Sequence, residues 1–315
     1  MEPERASSTS TVSESLKGAP KPGYFENKSV AALQIVNVLL FVVVFTVNSI
    51  GGAVGFDNRT VASVSDSLPN RIVPAGYAFL IWNLIYLLNL VFIIWQVLPS
   101  SQRNTKAVQR IGWLNPILSV VNTAWIFAWI YGVIWLSEVL IVAFLALLIT
   151  IQIRIGTYVP GIVKPGKLST PYRVPVVEVV CIHLFFSVYI GWLSVATAAN
   201  TAATFVKYVG VGTTLGWTAE GWSVLIQVVI LSLAIITLLF RRDGFMTLVF
   251  TWALVAVGQN QQDSALVSTS AYTIASIIGV LSLFALITGF IARSRLPTAD
   301  EKENNRCKDR ACFFV

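Results

Sequence analysis

Three aromatic residues in the segment 74–86, Phe79, Trp82 and Tyr86, are spaced at i, i+3 and i+7. On an α-helix this spacing puts the three rings on one face. Asn83 and Asn89 lie beside the rings, so we expect amide groups on the same wall. A wall of aromatic rings and amides suits a flat, largely apolar ligand that has a few polar edges. The alternative is ordinary helix packing with aromatic residues near a membrane interface.

The same mixture of amides and aromatic rings recurs at helical spacing in three further apolar segments. The residues are Gln34, Asn37 and Asn48 with Phe41 and Phe45; Asn115 and Asn122 with Trp125 and Trp129; and Phe185, Tyr189, Trp192, Ala196 and Asn200. Because an amide that faces lipid is costly, we expect these faces to point into a helix bundle. The amides then either meet a ligand or simply hydrogen-bond one helix to another.

Few residues offer catalytic chemistry. The only histidine is His183, so a site with several histidine ligands is excluded, and no phosphate-binding glycine loop ending in Lys-Ser or Lys-Thr is present. We interpret Glu138 and Glu178 as interfacial residues near helix starts and His183 as a packing residue. We therefore expect no enzyme, no metal site and no bound cofactor; degradation of a bound ligand is the enzymatic alternative.

The elements that carry these residues are eight apolar segments. Of the 315 residues, 56% are apolar and 12% are charged, and most of the segments reach the ~20 residues that cross a bilayer. Their predicted bounds are 31–54, 75–98, 112–132, 134–153, 175–198, 222–240, 244–259 and 270–292. The predicted fold class is an all-α polytopic membrane helix bundle. The N-terminal sequence lacks a signal-peptide core, so the first segment should serve as an uncleaved anchor.

Charge predicts the orientation. With eight spans, 19 of the 22 Lys and Arg residues lie on the side of the two termini, and only Arg59, Arg71 and Lys207 lie on the other. Basic residues mark the cytosolic side, so we expect both termini in the cytosol. The net charge of +7 then follows from topology, and we expect no nucleic-acid partner.

The two tails and the first outer loop carry candidate modification sites. We expect residues 1–30 to form a disordered cytosolic N-tail and residues 293–315 to form a cytosolic C-tail. Asn58 begins a glycosylation sequon in the first outer loop, and Cys312 has the spacing of a prenylation site at the C-terminus. A tail without a lipid is the alternative. Both sites favour an endomembrane or the plasma membrane.

Three motifs resemble the tryptophan-rich sensory protein and translocator protein (TspO/MBR) family. They are Pro74-x-x-Tyr77-x-Phe79-x-x-Trp82-x-x-x-Tyr86, Asn122-Thr-Ala-Trp125, and the segment from Tyr189 through Trp192 to Asn200. They occur in the family's order, over roughly residues 31–205. The chain departs from the family in lacking prolines within the second and fifth helix motifs and a fourth-helix W-x-x-F-F.

The resemblance implies a fold and a function. It implies a five-helix translocator-like core over residues 31–205, which this chain extends with three more transmembrane helices over 206–292. It implies an integral membrane receptor or carrier for a flat hydrophobic ligand, a porphyrin or another tetrapyrrole; the alternative is a secondary transporter of a small polar solute. It leaves the mitochondrial membrane open as a location.

The resemblance also implies a binding site and partners. The ligand-binding residues would be Tyr77, Phe79, Trp82, Tyr86, Asn122, Trp125, Tyr189, Trp192 and Asn200. The expected partners are membrane lipids and a small hydrophobic ligand, and a homodimer is allowed. No sterol-type motif follows Asn200, so sterol binding is not predicted.

Overall fold

The computed structural model describes residues 28–98, 102–156, 176–210 and 216–294. Within these ranges the chain folds into helices, and no β-strand is present. The helices are α1 (Lys28–Ala53), α2 (Val61–Asp66), α3 (Ile81–Val97), α4 (Gln102–Ile111), α5 (Leu114–Ile130), α6 (Ile134–Ile155), α7 (Val176–Glu178), α8 (Phe185–Tyr208), α9 (Ala219–Arg241), α10 (Gly244–Asn260) and α11 (Ala265–Ser294). A 3₁₀ turn, Gly76–Leu80, leads into α3, and a π-helical segment, Val179–Leu184, joins α7 to α8.

Each of the eight predicted apolar segments coincides with a long helix, so the all-α membrane bundle is confirmed. Among the described residues, six helical segments are long and apolar enough to cross a membrane, while α5 and α10 are shorter apolar helices of 17 residues each. A helix of that length spans about 26 Å, slightly less than the ~30 Å hydrocarbon core. Crossing by all eight helices, and the cytosolic position of both termini, stay predictions.

The helix ends follow from local sequence. Thr60, Thr218 and Asp243 each accept a hydrogen bond from a backbone N–H in the first turn of the helix that follows. Such caps satisfy donors that have no partner inside the helix. At the other end of α6, Gly156 adopts a φ of 78°, a left-handed conformation that favours glycine and stops the helix.

The helices after α8 pack directly on those before it. Gly191 on α8 lies so close to α10 that a Cβ there would be 2.8 Å from the Met246 carbonyl oxygen and 3.0 Å from Val249 Cβ. One hydrophobic cluster includes Phe92 of α3, Phe186 of α8 and Phe250 of α10. Hydrophobic packing thus runs across residue 205, the predicted boundary of the five-helix core, which stays a prediction.

A buried carboxyl group also joins the two parts. Asp243 lies in the turn between α9 and α10, where its Oδ2 accepts hydrogen bonds from Ser187 Oγ on α8 (2.5 Å) and Gln152 Nε2 on α6 (3.2 Å). Its Oδ1 caps α10 by accepting from the Met246 N–H (3.1 Å). Burial raises the pKa of the Asp243 carboxyl, and these hydrogen bonds oppose that rise only in part.

Candidate ligand-binding site

Trp82 lies at the centre of a cluster of aromatic rings drawn from three helices. Its ring centroid is 5.8 Å from Tyr86, 6.2 Å from Trp125, 6.1 Å from Tyr189 and 6.3 Å from Trp192. The Tyr86 ring stacks on Trp82, and the Tyr189 and Trp192 rings meet it edge-on, the two arrangements that aromatic pairs prefer. The stripe predicted on the second apolar segment therefore packs against the third and fifth.

A small cavity borders this cluster, and we call it the aromatic chamber. Its volume is about 40 Å³. Five of the nine predicted ligand-binding residues line it: Phe79, Trp82, Trp125, Trp192 and Asn200.

The other four predicted residues lie elsewhere. Tyr86, Asn122 and Tyr189 stand behind the lining, in contact with Trp82 or with one another. Tyr77 packs instead against Trp252 of α10, with ring centroids 5.2 Å apart, and does not line the chamber. Its role in ligand binding stays a prediction.

The amide faces point into the bundle, as predicted, and bond to one another. Asn48 Nδ2 donates to Asn122 Oδ1 (3.1 Å), and Asn122 Nδ2 donates to the Tyr189 hydroxyl (2.7 Å). Nearer the start of α1, Asn37 Nδ2 donates to Gln96 Oε1 (2.9 Å) and Asn115 Nδ2 donates to Asn37 Oδ1 (3.0 Å). These bonds tie α1, α3, α5 and α8 together, which is the simpler of the two explanations offered by the sequence.

Of the two amides beside the first aromatic stripe, Asn83 does not share its wall. Asn83 is exposed on the outer side of α3, so its expected place beside the rings is wrong. On α3 the outer side also carries Leu84 and Leu87, and Asn83 lies one position past Trp82, about 100° around the helix. Asn89 is half-buried, and its Oδ1 accepts from no donor among the residues that the structure describes.

Asn200 is held by a carboxyl group that the sequence had not assigned to the site. Its Nδ2 donates to Glu138 Oε2 (2.8 Å), and its Oδ1 accepts from Trp125 Nε1 (3.2 Å). Glu138 also accepts from Thr201 Oγ1 (2.7 Å). Glu138 therefore joins α6 to α8 beside the chamber, whereas its position near a helix start had indicated only an interfacial residue.

Trp129 also lines the chamber, although it was not among the predicted ligand-binding residues. Its spacing from Trp125 was the feature of the sequence that could have indicated it. It stands four residues after Trp125, and the two rings stack with centroids 6.2 Å apart. Trp129 Nε1 donates to the backbone carbonyl of Val61 (3.1 Å), which fastens the start of α2 above the chamber.

Residues 61–75, which we call the cover segment, close one end of the chamber. Val61, Ser65, Asn70 and Pro74 from this segment line the cavity together with the aromatic residues. The cover segment includes α2 and the extended residues that lead to the 3₁₀ turn. Pro74 begins the first of the three motifs, but the motifs gave no indication of Val61, Ser65 or Asn70.

The helices after residue 205 hold the cover segment in place. The Ala75 N–H donates to the Ala256 carbonyl (3.0 Å), and Asn260 Nδ2 donates to the Val73 carbonyl (3.2 Å). Arg71 Nη1 lies 2.5 Å from Asp263 Oδ2, forming an ion pair at the surface. The hydrogen bond from Arg71 lowers the pKa of the Asp263 carboxyl.

One polar group at the chamber is left without a partner. Trp192 is buried at 2% exposure, and its Nε1–H donates to no atom in the part of the chain that the structure describes. Buried indole N–H groups usually find an acceptor. A ligand that brings an oxygen into the chamber would supply one.

Three further residues that the sequence singled out are His183, Asn58 and Cys312. His183 is buried in the π-helical segment, and the described residues hold no group of three or more His, Cys, Asp or Glu that could bind a metal ion. Asn58 is exposed in the tight turn after α1, with a φ of 60°; its glycosylation stays a prediction. Cys312 lies outside the described residues.

The family of this chain follows from comparison with known proteins. Comparison with curated proteins and with solved structures gives no match. Residues 34–284 match the model of the family described as TSPO-like protein, and this range continues past residue 205 into α11. Because the match covers well over half of the 315 residues, the chain is an integral membrane protein that belongs to the TSPO-like protein family.

Proposed function

We propose that this protein is a membrane receptor or carrier that binds a porphyrin or related tetrapyrrole in the aromatic chamber. Trp82, Trp125 and Trp192 would stack on the flat ring, since aromatic faces attract one another and exclude water. The observation that carries the proposal is the buried N–H of Trp192, a residue on the wall of the chamber, which has no acceptor among the residues that the structure describes. A carboxylate or carbonyl oxygen at the edge of the ligand would accept its hydrogen bond.

Binding requires the chamber to open. Its volume of about 40 Å³ is far below the roughly 300–1,000 Å³ of typical ligand pockets. The rings around Trp82 fill one another's space, so a ligand has to replace ring–ring contacts with ring–ligand contacts of similar strength. The cover segment would be the element that moves. An ion pair near the surface and hydrogen bonds to the Val73 and Ala75 backbone hold it, and its movement would also have to expose the buried side chain of Ile72.

A secondary transporter for a small polar solute is supported less well. Such a protein needs polar groups that can exchange partners with the solute along a path. Here the amides of Asn37, Gln96 and Asn115 already bond to one another, as do those of Asn48 and Asn122. The two groups lie about 16 Å apart along α1, because Asn37 and Asn48 are separated by eleven residues and each residue adds 1.5 Å.

Titration with protoporphyrin IX tests the proposal. The purified protein should bind saturably in the micromolar range, measured by porphyrin absorbance as well as by tryptophan quenching. Trp82→Ala and Asn122→Ala should both weaken binding, because the first removes a stacking face and the second frees Asn48 and Tyr189 from their shared partner.

Trp135→Ala is the matched control. Trp135 is 57% exposed on α6, outside the cluster, so its loss should leave the porphyrin dissociation constant unchanged. Binding that is absent, or that all three variants leave unaltered, would show that the chamber is not the porphyrin site.

A further inference from the structure

A second and larger cavity lies where α8 ends and α9 begins, beside residues 69–72 of the cover segment. We call it the junction cavity. Its volume is about 270 Å³, compared with about 40 Å³ for the aromatic chamber. Ala202 of α8 and Trp222 of α9 both line it, so it exists only because a helix follows the first five spans.

The polar side chains around the junction cavity are already hydrogen-bonded within the protein. Asn70 Nδ2 donates to the Leu68 carbonyl, and Asn70 Oδ1 accepts from the Ile72 N–H, both at 3.1 Å. Thr201 Oγ1 donates to Glu138 Oε1 (2.7 Å), and Ser223 Oγ donates to the Arg71 carbonyl (2.6 Å). Because each of these groups already has a partner, a polar ligand would gain less from them than from unpaired groups.

Arg71, the charged residue among the described residues on the lining, is paired with a carboxylate. Arg71 Nη1 donates to Asp263 Oδ2 (2.5 Å) and to Gln261 Oε1 (3.1 Å). An anionic ligand would therefore compete with a carboxylate that is already in place. The cavity favours a molecule without charge.

The rest of the cavity lining is apolar, and the cavity volume limits the size of an occupant. The volume exceeds the ~150 Å³ of a cavity that holds benzene and is close to the lower limit of ordinary ligand pockets. Trp222 supplies an aromatic face at the wall. We propose that the junction cavity is a binding site for a compact, neutral, hydrocarbon-like molecule of one or two rings, separate from the aromatic chamber.

An occupant would also touch the cover segment. Asn70 lines both cavities, and Arg71 and Ile72 line the junction cavity. A molecule in the junction cavity thus adds contacts to the segment that closes the chamber. This site goes beyond the proposed porphyrin function, since neither its residues nor its ligand are shared with the ring cluster around Trp82.

Fluorine NMR of the full chain labelled with 5-fluorotryptophan tests the proposal. The Trp222 resonance is assigned by its absence in Trp222→Phe. Naphthalene should shift this resonance saturably, whereas 2-naphthalenesulfonate, which has the same rings and a negative charge, should not.

Three alanine substitutions locate the binding. Ala202→Leu fills the cavity and Ala219→Leu narrows it from an exposed position that folding tolerates, so both should abolish the saturable shift. Ala146→Leu adds the same side chain on the exposed side of α6 and should leave the shift intact. Helical circular dichroism and a single elution peak verify that each variant is folded.

Two outcomes would overturn the proposal. A shift that grows linearly with naphthalene in every variant would mean partitioning into the detergent. A saturable shift that disappears in lipid nanodiscs would mean that a lipid acyl chain fills the cavity. Porphyrin binding to the Ala202→Leu variant is measured in parallel, so failure at this site is distinguishable from failure of the aromatic chamber.

Discussion

The aromatic chamber and the junction cavity border different faces of the same stretch of α8, and they differ in volume, in aromatic content and in the state of their polar groups. The chamber is lined by large rings and has little empty space, whereas the junction cavity has few rings and several times the volume. Asn200 lines the first and Thr201 lines the second. Aromatic side chains that could stack on a ligand can equally stack on one another. The presence of such side chains therefore does not by itself make an open site.

The difference extends to the polar groups. Around the junction cavity the hydroxyl and amide groups of Asn70, Thr201 and Ser223 bond elsewhere in the protein. In the chamber one buried donor, Trp192 Nε1, has no acceptor in the described residues. The larger cavity therefore favours apolar molecules, while the smaller one holds the better polar contact for a ligand.

The largest expected difference between the two regions is in stability, when one tryptophan of each region is truncated to alanine. Trp82→Ala removes a ring that touches four others, and we expect a loss of about 3 kcal/mol in the free energy of unfolding. Trp222→Ala should cost about 1 kcal/mol, because that side chain is partly exposed and borders empty space. Unfolding in mixed micelles measures both, and equal losses would remove the distinction between a packed and an open region.

Two adjacent alanines on α8 give a sharper comparison. Ala203 is 1% exposed and lines the chamber, so Ala203→Leu should overpack it and destabilise the protein by about 1–3 kcal/mol. Ala202 lines the junction cavity, so Ala202→Leu should stabilise the protein by roughly 1 kcal/mol. Since both changes place the same side chain on one helix, propensity cancels. The same sign of change in both variants would contradict the difference in volume between the two cavities.

Trp192→Phe tests the unpartnered donor. The ring that meets Trp82 and Phe79 is largely kept, but the N–H is lost. We expect porphyrin affinity to fall about five- to tenfold, the value of one hydrogen bond, while stability changes little because the donor had no partner to lose. The naphthalene shift at Trp222 should be unaffected. A stability loss without a change in porphyrin affinity would assign Trp192 a packing role only.

The smallest effect concerns the cover segment that both regions share. Because Arg71 lowers the pKa of Asp263, the ion pair is present at neutral pH and is lost as the pH falls through that lowered value. Asp263→Asn should lower the protection factors of the Ile72 and Ala75 amides at pH 7. Low pH should lower them in the unmodified protein, once each rate is divided by the intrinsic exchange rate at that pH. The Asp263 carboxyl is exposed and the Arg71 guanidinium is partly exposed, so only a slight effect is expected.

Asp66→Asn is the control for that measurement. Asp66 is exposed at the end of α2, within the same cover segment, but it does not pair with Arg71. Exchange that is equally fast in both variants would mean that the ion pair does not hold the cover segment.

Much of this protein was predictable from its sequence because hydropathy and helical period act locally. Apolar segments of membrane length predicted every long helix, and the amides at Asn37, Asn48 and Asn122 were correctly expected to face inward. The motifs around Trp82, Trp125 and Trp192 also led to the correct family. The first two inferences need only the residues of one helix, and the third needs three motifs read in order along the chain.

Only the tertiary structure decided how those helix faces meet. Three sets of hydrogen bonds connect residues far apart in the sequence: those between Asn48 and Asn122, those from α10 to the cover segment, and those that Asp243 accepts from α6 and α8. Whether a wall of rings is open or closed depends on ångström-scale distances between helices, which periodicity does not specify. The sequence therefore determined which residues could form a site, and the packing determined where space remains.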